Sequence, residues 1–203
     1  MTRYLIDIAR RALYTTIVCL VLSRGAFAGP MFLFDFEADL GLPTPLTDIS
    51  NGISATFSSP GDPGAFFVLP TSTLFLTLTG NALFQASPGT TLDILFDQDI
   101  QYVRLVFGSI TPGQLTLTAF DQSLTSVGQS SAASSILPGG TNPEGSLSFG
   151  GTAFRSVALN FASINPTFAI DNVTNNVPEP ASILLFSLGA ILLVGTRRLR
   201  SQP

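Results

Sequence analysis

The chain of 203 residues contains no histidine, no tryptophan and one cysteine, and its formal net charge at pH 7 is −4. Residues 29–176 include eleven acidic and two basic residues, which disfavours a nucleic-acid partner because phosphate binding requires clustered lysine or arginine. The same stretch has neither cysteine nor histidine, which excludes a disulfide framework, a serine–histidine–aspartate triad and an ordinary zinc, copper or haem site.

The first 28 residues are typical of a secretory signal peptide. An apolar run from Ala12 to Leu22 follows a basic region, and Ala26 and Ala28 form a cleavage site that makes Gly29 the mature N-terminus. The basic residues of this region are Arg3, Arg10 and Arg11. The secretory translocon and a signal peptidase are therefore predicted partners. Two further charged residues depart from the usual pattern, so an uncleaved anchor stays the alternative.

The body of the chain, residues 29–176, is predicted to be one all-β domain. Short runs rich in Phe, Leu, Ile, Val and Thr are separated by clusters of Gly, Pro, Asn, Asp and Ser, and no stretch has helical periodicity. The predicted strands are Phe32–Phe36, Ile53–Phe57, Phe66–Leu69, Leu74–Leu78, Leu83–Gln85, Thr91–Phe96, Tyr102–Phe107, Gln114–Phe120, Ser123–Val127, Ser146–Phe149, Arg155–Phe161 and Thr167–Val173.

Two of these stretches allow finer expectations. Val103, Leu105 and Phe107 alternate with Arg104, so we expect the three apolar side chains to share a buried face. Residues 129–145, which contain Pro and Gly clusters, are predicted to form an exposed irregular loop.

The second half of the body resembles jelly-roll domains that look like galactose-binding-type carbohydrate modules. The residues that carry this resemblance are Leu92–Phe96, Leu115–Asp121 and Phe168–Val173. The resemblance implies an antiparallel jelly-roll β-sandwich whose first strand pairs near its last. It also implies a structural calcium ion bound by Glu37 and Asp171, with solvated turns as the alternative account of these acids.

The composition of the body bears on its activity. Its only tyrosine is Tyr102, so it lacks the aromatic platforms on which sugars usually stack. Asp97 and Asp99 lie two residues apart, but nothing in the sequence marks the sugar cleft that a glycosidase needs. We therefore expect no enzyme activity, no cofactor besides calcium, and a structural role in the envelope or extracellular matrix. The alternative is a carbohydrate-binding surface module, calcium-dependent or not, whose partner would be exopolysaccharide.

The last 27 residues, 177–203, carry three features in a fixed order. The sequence Val-Pro-Glu-Pro at Val177–Pro180 precedes an uncharged apolar run, Ala181–Thr196, and a basic tail. At ~1.5 Å per residue this run reaches about 24 Å, so we expect a short transmembrane helix. Arginine beside a short span stays in the cytoplasm, so the body of the chain is predicted to be exported across the inner membrane.

This tail resembles the PEP-CTERM protein-sorting signal of Gram-negative bacteria. The resemblance implies that an exosortase recognises the sorting motif, that the helix is a temporary anchor, and that the protein ends in the envelope or outside the cell. The motif residues are Val177, Pro178, Glu179 and Pro180, and the basic stop is Arg197, Arg198 and Arg200. A plain tail anchor with no processing is the alternative.

Overall fold

The structure, a computed structural model, describes residues 31–71 and 75–177. The predicted signal peptide, the predicted helix over 181–196 and the basic tail lie outside the described residues. Within the described part of the chain, no helix is long and apolar enough to cross a membrane.

Eleven β-strands and no helix make up the regular structure of the described residues, which confirms the all-β class. All the pairings between these strands are antiparallel. The strands are β1 (Met31–Phe34), β2 (Leu46–Ser50), β3 (Ile53–Ser58), β4 (Phe66–Pro70), β5 (Asn81–Gln85), β6 (Leu92–Ser109), β7 (Gln114–Phe120), β8 (Ser126–Ala133), β9 (Ser135–Ile136), β10 (Pro143–Ala162) and β11 (Phe168–Asn176).

Two long strands, β6 and β10, organise the sheet. They pair with each other from Leu92 opposite Leu159 to Gly108 opposite Glu144, with register shifts between residues 150 and 156. Their outer partners change along their length: the first half of β6 pairs with β3, whereas its second half pairs with β11. The second half of β10 likewise pairs with β7. Each long strand therefore passes from one layer of the fold into the other.

The resulting layers pack against each other through phenylalanine rings. One layer holds β2, β3, β7 and β8, and the other holds β4, β5 and β11, with β1 paired to β11. The ring of Phe161 on β10 lies 6.4 Å from that of Phe107 on β6 and 5.8 Å from that of Phe168 on β11, measured between centroids. Phe34 and Phe57 meet in the same way at 6.2 Å. The main core therefore lies between the two layers.

Several expectations are confirmed. Val103, Leu105 and Phe107 are fully buried while Arg104 is exposed, as the alternation predicted. The first strand pairs with the last, because Met31–Phe34 lies beside Val173–Asn176.

Other strand predictions are wrong. The predicted strands within 91–107 merge into the single strand β6, and those within 146–161 merge into β10. Residues 75–78 of the predicted strand Leu74–Leu78 form no strand. The loop predicted over 129–145 is also wrong, since it contains the end of β8, all of β9 and the start of β10.

Like β9, the strand β2 has no counterpart among the predicted strands. Only its first residue, Leu46, is buried, so the strand has almost no apolar face to detect. It is joined to β3 by Asn51 and Gly52, whose φ angles are 50° and 84°. Two consecutive residues with positive φ form the tight turn that an Asn-Gly pair favours, and this pair was the available sequence signal.

Replacing Phe161 with alanine tests the packing between the layers. Phe161 is 4% exposed and its ring contacts those of Phe107 on β6 and Phe168 on β11, so we expect the free energy of unfolding to fall by about 3–5 kcal/mol. Leu95→Ala is the control, because Leu95 is 50% exposed and should change stability by less than about 0.5 kcal/mol. Chemical denaturation of residues 29–176 measures both, and equal effects would contradict the two-layer packing.

Candidate functional site

Residues 75–80 belong to the connection between β4 and β5 and form no strand. We call them the 75–80 segment. The segment covers the face of β5, β11 and β6 that points away from the main core. Phe75 lies so close to Gly108 that a Cβ atom at residue 108 would overlap the ring. Leu78 is buried in a small apolar cluster with Ala169, apart from the main core. The small residues Gly108 and Ala169, which are cross-strand partners, therefore leave the space that the segment fills.

A buried glutamate holds the middle of this segment. Glu144, at the start of β10, is 1% exposed. One carboxylate oxygen accepts the backbone N–H of Leu76 at 2.5 Å. The other accepts the backbone N–H of Thr77 at 2.6 Å and also the Thr77 hydroxyl. Because the segment lies outside the sheet, its backbone N–H groups have no neighbouring strand to donate to. The Glu144 carboxylate supplies the acceptors instead.

Two further acids bind the end of the same stretch. Asp171 of β11, 1% exposed, accepts the backbone N–H of Thr79 at 3.2 Å. Glu37, in the exposed turn after β1, accepts the backbone N–H of Asn81 at 3.1 Å. Gly80 has a φ angle of 66°, which favours glycine, and the Glu37 carboxylate lies where a Cβ atom at residue 80 would be. The structure thus brings Glu37 and Asp171 to one stretch of backbone.

The environment of Asp171 changes its acidity. Burial raises the pKa of Asp171 to about 6, and the negative charges of Glu37 and Asp35 add to the rise. Hydrogen bonds from the backbone N–H groups of Thr79 and Asn172 oppose it. The burial of the carboxylate therefore outweighs its two backbone hydrogen bonds.

The calcium hypothesis for Glu37 and Asp171 stays a prediction. Calcium takes six to eight oxygen ligands, usually from several carboxylates and carbonyls. Within residues 31–71 and 75–177, no group of three or more Asp, Glu, His or Cys side chains is arranged to hold a metal ion. The oxygens of Asp171 already accept hydrogen bonds from Thr79 and Asn172, so a calcium ion would have to share them with these donors.

The other acids that the sequence singled out lie apart from this site. Asp99 forms a long ion pair of 3.7 Å with Arg155, and both side chains are partly solvated, so the pair contributes little to stability. Asp97, on the same strand, is exposed.

A shallow cleft opens beside the 75–80 segment. Its volume is about 230 Å³, below the ~300–1,000 Å³ typical of pockets for drug-sized ligands. Phe75 and Phe84 form one wall with their ring centroids 6.2 Å apart, and Asn142 and Thr167 add polar groups. Among the residues that the structure describes, those that line the cleft carry no charge.

The sorting residues begin where the sheet ends. Val177 follows β11 directly and packs against the main core. The remaining motif residues, Pro178–Pro180, lie outside the described residues, as do the basic stop and the cleavage-site residues Ala26, Ala28 and Gly29.

Comparison with known protein families decides the nature of this tail. Residues 176–200 match the PEP-CTERM protein-sorting motif. The chain carries a PEP-CTERM sorting motif. Such a motif implies export and processing by an exosortase at the membrane. No curated protein matches the chain in sequence.

Solved structures with a similar arrangement of strands include two carbohydrate-binding modules and an adhesin domain. A family 6 carbohydrate-binding module is 13% identical with a TM-score of 0.38, covering 60% of this chain and 87% of its own. The module CsCBM6-3 from Clostridium stercorarium, solved with cellobiose, is 12% identical with a TM-score of 0.38, covering 69% and 95%. The K2 adhesin domain of Lys-gingipain is 11% identical with a TM-score of 0.47, covering 73% and 100%. Similarities at this level say nothing about the ligand of the PEP-CTERM chain.

Sequence reasoning missed the role of Glu144. In the sequence, Glu144 is one of eleven acids of the body and lies at the end of a predicted loop. A signal did exist, because Glu144 is the sole charged residue between Asp121 and Arg155. An isolated acid within such an uncharged stretch indicates a specific partner more strongly than an acid on a charged surface does.

The raised pKa of Asp171 predicts a pH dependence of stability. An acid whose pKa is higher in the folded state than in the unfolded state stabilises the fold while protonated, so this contribution is lost as pH rises from about 4 through 6. Asp171→Asn removes the titration but keeps the shape. We expect the melting temperature of the wild type to fall more than that of Asp171→Asn between pH 5 and pH 7. Parallel pH profiles of the two proteins would contradict the assignment.

Proposed function

We propose that the PEP-CTERM chain is an exported, non-catalytic protein of the cell envelope or extracellular matrix. It crosses the inner membrane through the secretory translocon, and a signal peptidase removes residues 1–28. The C-terminal helix then holds it temporarily in the inner membrane until an exosortase acts at the motif Pro178–Pro180. The observation that carries this proposal is the match of residues 176–200 to the sorting motif.

The boundary between fold and motif supports this sequence of events. The last strand ends at Asn176, the residue at which the motif match begins. Every described strand thus lies before Pro178, so cleavage within or after the motif would leave the sheet complete. The two prolines resist helix and strand formation and would present an extended backbone to the processing enzyme.

The chemistry of the domain supports a non-catalytic role. Its two most buried acids, Glu144 and Asp171, bind backbone N–H groups of the 75–80 segment. An acid engaged in this way holds structure together and is not free to transfer protons to a substrate. The remaining acids of this domain are exposed or partly exposed, where they favour solubility.

A triple alanine replacement of Pro178, Glu179 and Pro180 tests the sorting proposal. In a host that has an exosortase, the wild type should lose its C-terminal segment and leave the inner membrane. The triple variant should accumulate there at full length, because the recognition motif is gone and the helix can extend through the alanines. Fractionation followed by intact-mass measurement distinguishes the two.

Two further variants sharpen this experiment. Pro138→Ala, in an exposed turn of the domain, is the matched control and should be processed like the wild type. Neutral replacements of Arg197, Arg198 and Arg200 weaken the membrane stop, so some unprocessed protein should pass through. If the triple variant were processed normally, the motif would have no role in sorting.

The second candidate function is binding of a small neutral carbohydrate. The observation in its favour is the uncharged cleft, in which the half-buried rings of Phe75 and Phe84 lie beside the amide of Asn142. An aromatic ring with nearby amide donors and acceptors can accept one face of a sugar ring together with its hydroxyl groups.

A glycan array probed with the soluble domain, with and without calcium, tests this candidate. We expect a bound glycan to lose at least about tenfold in affinity with Phe84→Ala, because losing a buried aromatic contact costs at least 1.4 kcal/mol. Leu95→Ala, on the exposed face of another part of the sheet, should bind normally. No binding to any glycan in either condition would leave only the structural role.

A further inference from the structure

The last strand, β11, ends in two asparagines beside the sorting motif. Asn175 lies opposite Val103 of β6, and Val103 is a fully buried residue of the main core. Cross-strand partners point to the same face of a sheet, so the side chain of Asn175 also points into this core. Val173 belongs to the same core, and Val177 packs against it. Asn175 is therefore a polar residue between two apolar ones on the buried face of the strand.

The amide of Asn175 has no hydrogen-bond partner in this core. The residue is 0% exposed, and among the residues that the structure describes neither its side-chain oxygen nor its nitrogen forms a hydrogen bond. The side-chain oxygen of Asn176 is also buried without a partner. These two residues hold three of the five such atoms in the described part of the chain. An unpaired buried amide destabilises the folded state, because water satisfies its hydrogen bonds once it is exposed.

The destabilisation is located at the end of β11. The middle of the strand is held on both sides, because Ala169 and Ile170 pair with β5 and with β6. The end pairs with β6 and with β1, which has only four residues, and Val177 adds its packing against the core.

Detachment of the end exchanges one contribution for another. The domain loses the last pairings and the packing of Val177, but the amide of Asn175 gains hydrogen bonds to water. The hydration of the amide offsets much of the lost apolar burial, because the two free energies are of similar size. We therefore expect the end of β11 to open locally more often than the middle of the strand does.

The end of β11 is also the start of the sorting motif. Residues 176–200 match the motif, so Asn176 and Val177 belong both to the fold and to the motif. An enzyme that binds an extended peptide needs the backbone groups of that peptide, and those of Asn176 lie within the sheet. The folded end of β11 therefore competes with the processing enzyme for the start of the motif.

We propose that residues 175–177 detach from the sheet to make the start of the sorting motif accessible, and that Asn175 sets how often they do so. Asn175 precedes the matched residues and acts through the opening of the strand, which makes it a positioning residue. When opening and closing are fast compared with cleavage, the rate of processing follows the population of the open form. This inference rests on the proposed processing by an exosortase, whereas the opening itself is measured without the enzyme.

Hydrogen exchange of the full-length chain, purified in detergent from a host without an exosortase, measures the opening. In the wild type we expect the backbone amides of Asn175 and Asn176 to have protection factors at least about tenfold lower than those of Ala169 and Ile170. Val177→Ala removes the packing that holds the end, so protection at residues 175 and 176 should fall by a further factor of about three.

Replacing the unpaired amide tests the role of Asn175. Leucine has nearly the shape of asparagine without its polar atoms, so Asn175→Leu should raise the protection of residues 175 and 176 at least about fivefold. Asn160→Leu, the same replacement at an exposed position on β10, is the matched control and should leave this protection unchanged. Wild-type protection at Ala169 and Ile170 shows that a variant is folded.

Processing in a host that has an exosortase tests the consequence. After pulse labelling, Asn175→Leu should lose its C-terminal segment at least about fivefold more slowly than the wild type, because fewer molecules have an open end. The matched motif residues are unchanged in this variant, since the match begins at residue 176. Asn160→Leu should be processed at the wild-type rate.

Four results separate this proposal from the proposed function. Equal protection of the end and the middle of β11 would overturn the proposal, because the end would not open by itself. Faster exchange in Asn175→Leu would also overturn it, since the amide would then have a partner such as a buried water. Equal processing of Asn175→Leu and the wild type would overturn it and leave the sorting proposal standing. A wild type that is not processed at all would contradict the proposed function, and with it the role of the opening in sorting.

Discussion

The pairing between β6 and β10 is the constraint on which the described structure depends. The two strands stay paired as they pass from one layer into the other. The first half of β6 also pairs with β3, its second half with β11, and the second half of β10 with β7. Since both long strands change layers at the same place, the register shifts near residues 150–156 fall together at the bend. The bend brings side chains from the two halves of each long strand into the same core. The phenylalanine rings of the two layers therefore come into contact.

On the face of β5, β11 and β6 that points away from the main core, acidic residues have a structural use. Small residues at Gly108 and Ala169 leave a trough, and the 75–80 segment fills it with Phe75 and Leu78. The segment cannot join the ladder of the sheet, so the carboxylates of Glu144 and Asp171 accept its N–H groups. The high acid content of the chain thus has a structural component besides solubility, and the raised pKa of Asp171 results from burying one of these acceptors.

The sequence allowed the fold class to be predicted, since the alternation of Val103, Leu105 and Phe107 needs only the two-residue period of a strand. The predicted strand boundaries are wrong where polar residues continue a strand through a bend. Asp97–Asp99 looks like a turn in the sequence but lies inside β6, because a bending strand exposes both of its faces there. Residues 74–78 have the Leu, Phe and Thr content of a strand, but the backbone N–H groups of Leu76 and Thr77 donate to the carboxylate of Glu144, which is far away in the sequence. No local pattern carries that information.

The β domain and the sorting motif occupy successive parts of the chain, and β11 ends at Asn176, where the motif match begins. The domain completes its sheet before the sorting motif begins, which suits a protein that is cut from its anchor after folding. Peptide sequencing of the C-terminus of the protein released by an exosortase-containing host is the most direct test of this account. The account predicts that released protein contains the peptides up to Asn176 and lacks those from Ala181 onward. Released protein that retains the run Ala181–Thr196 would contradict it.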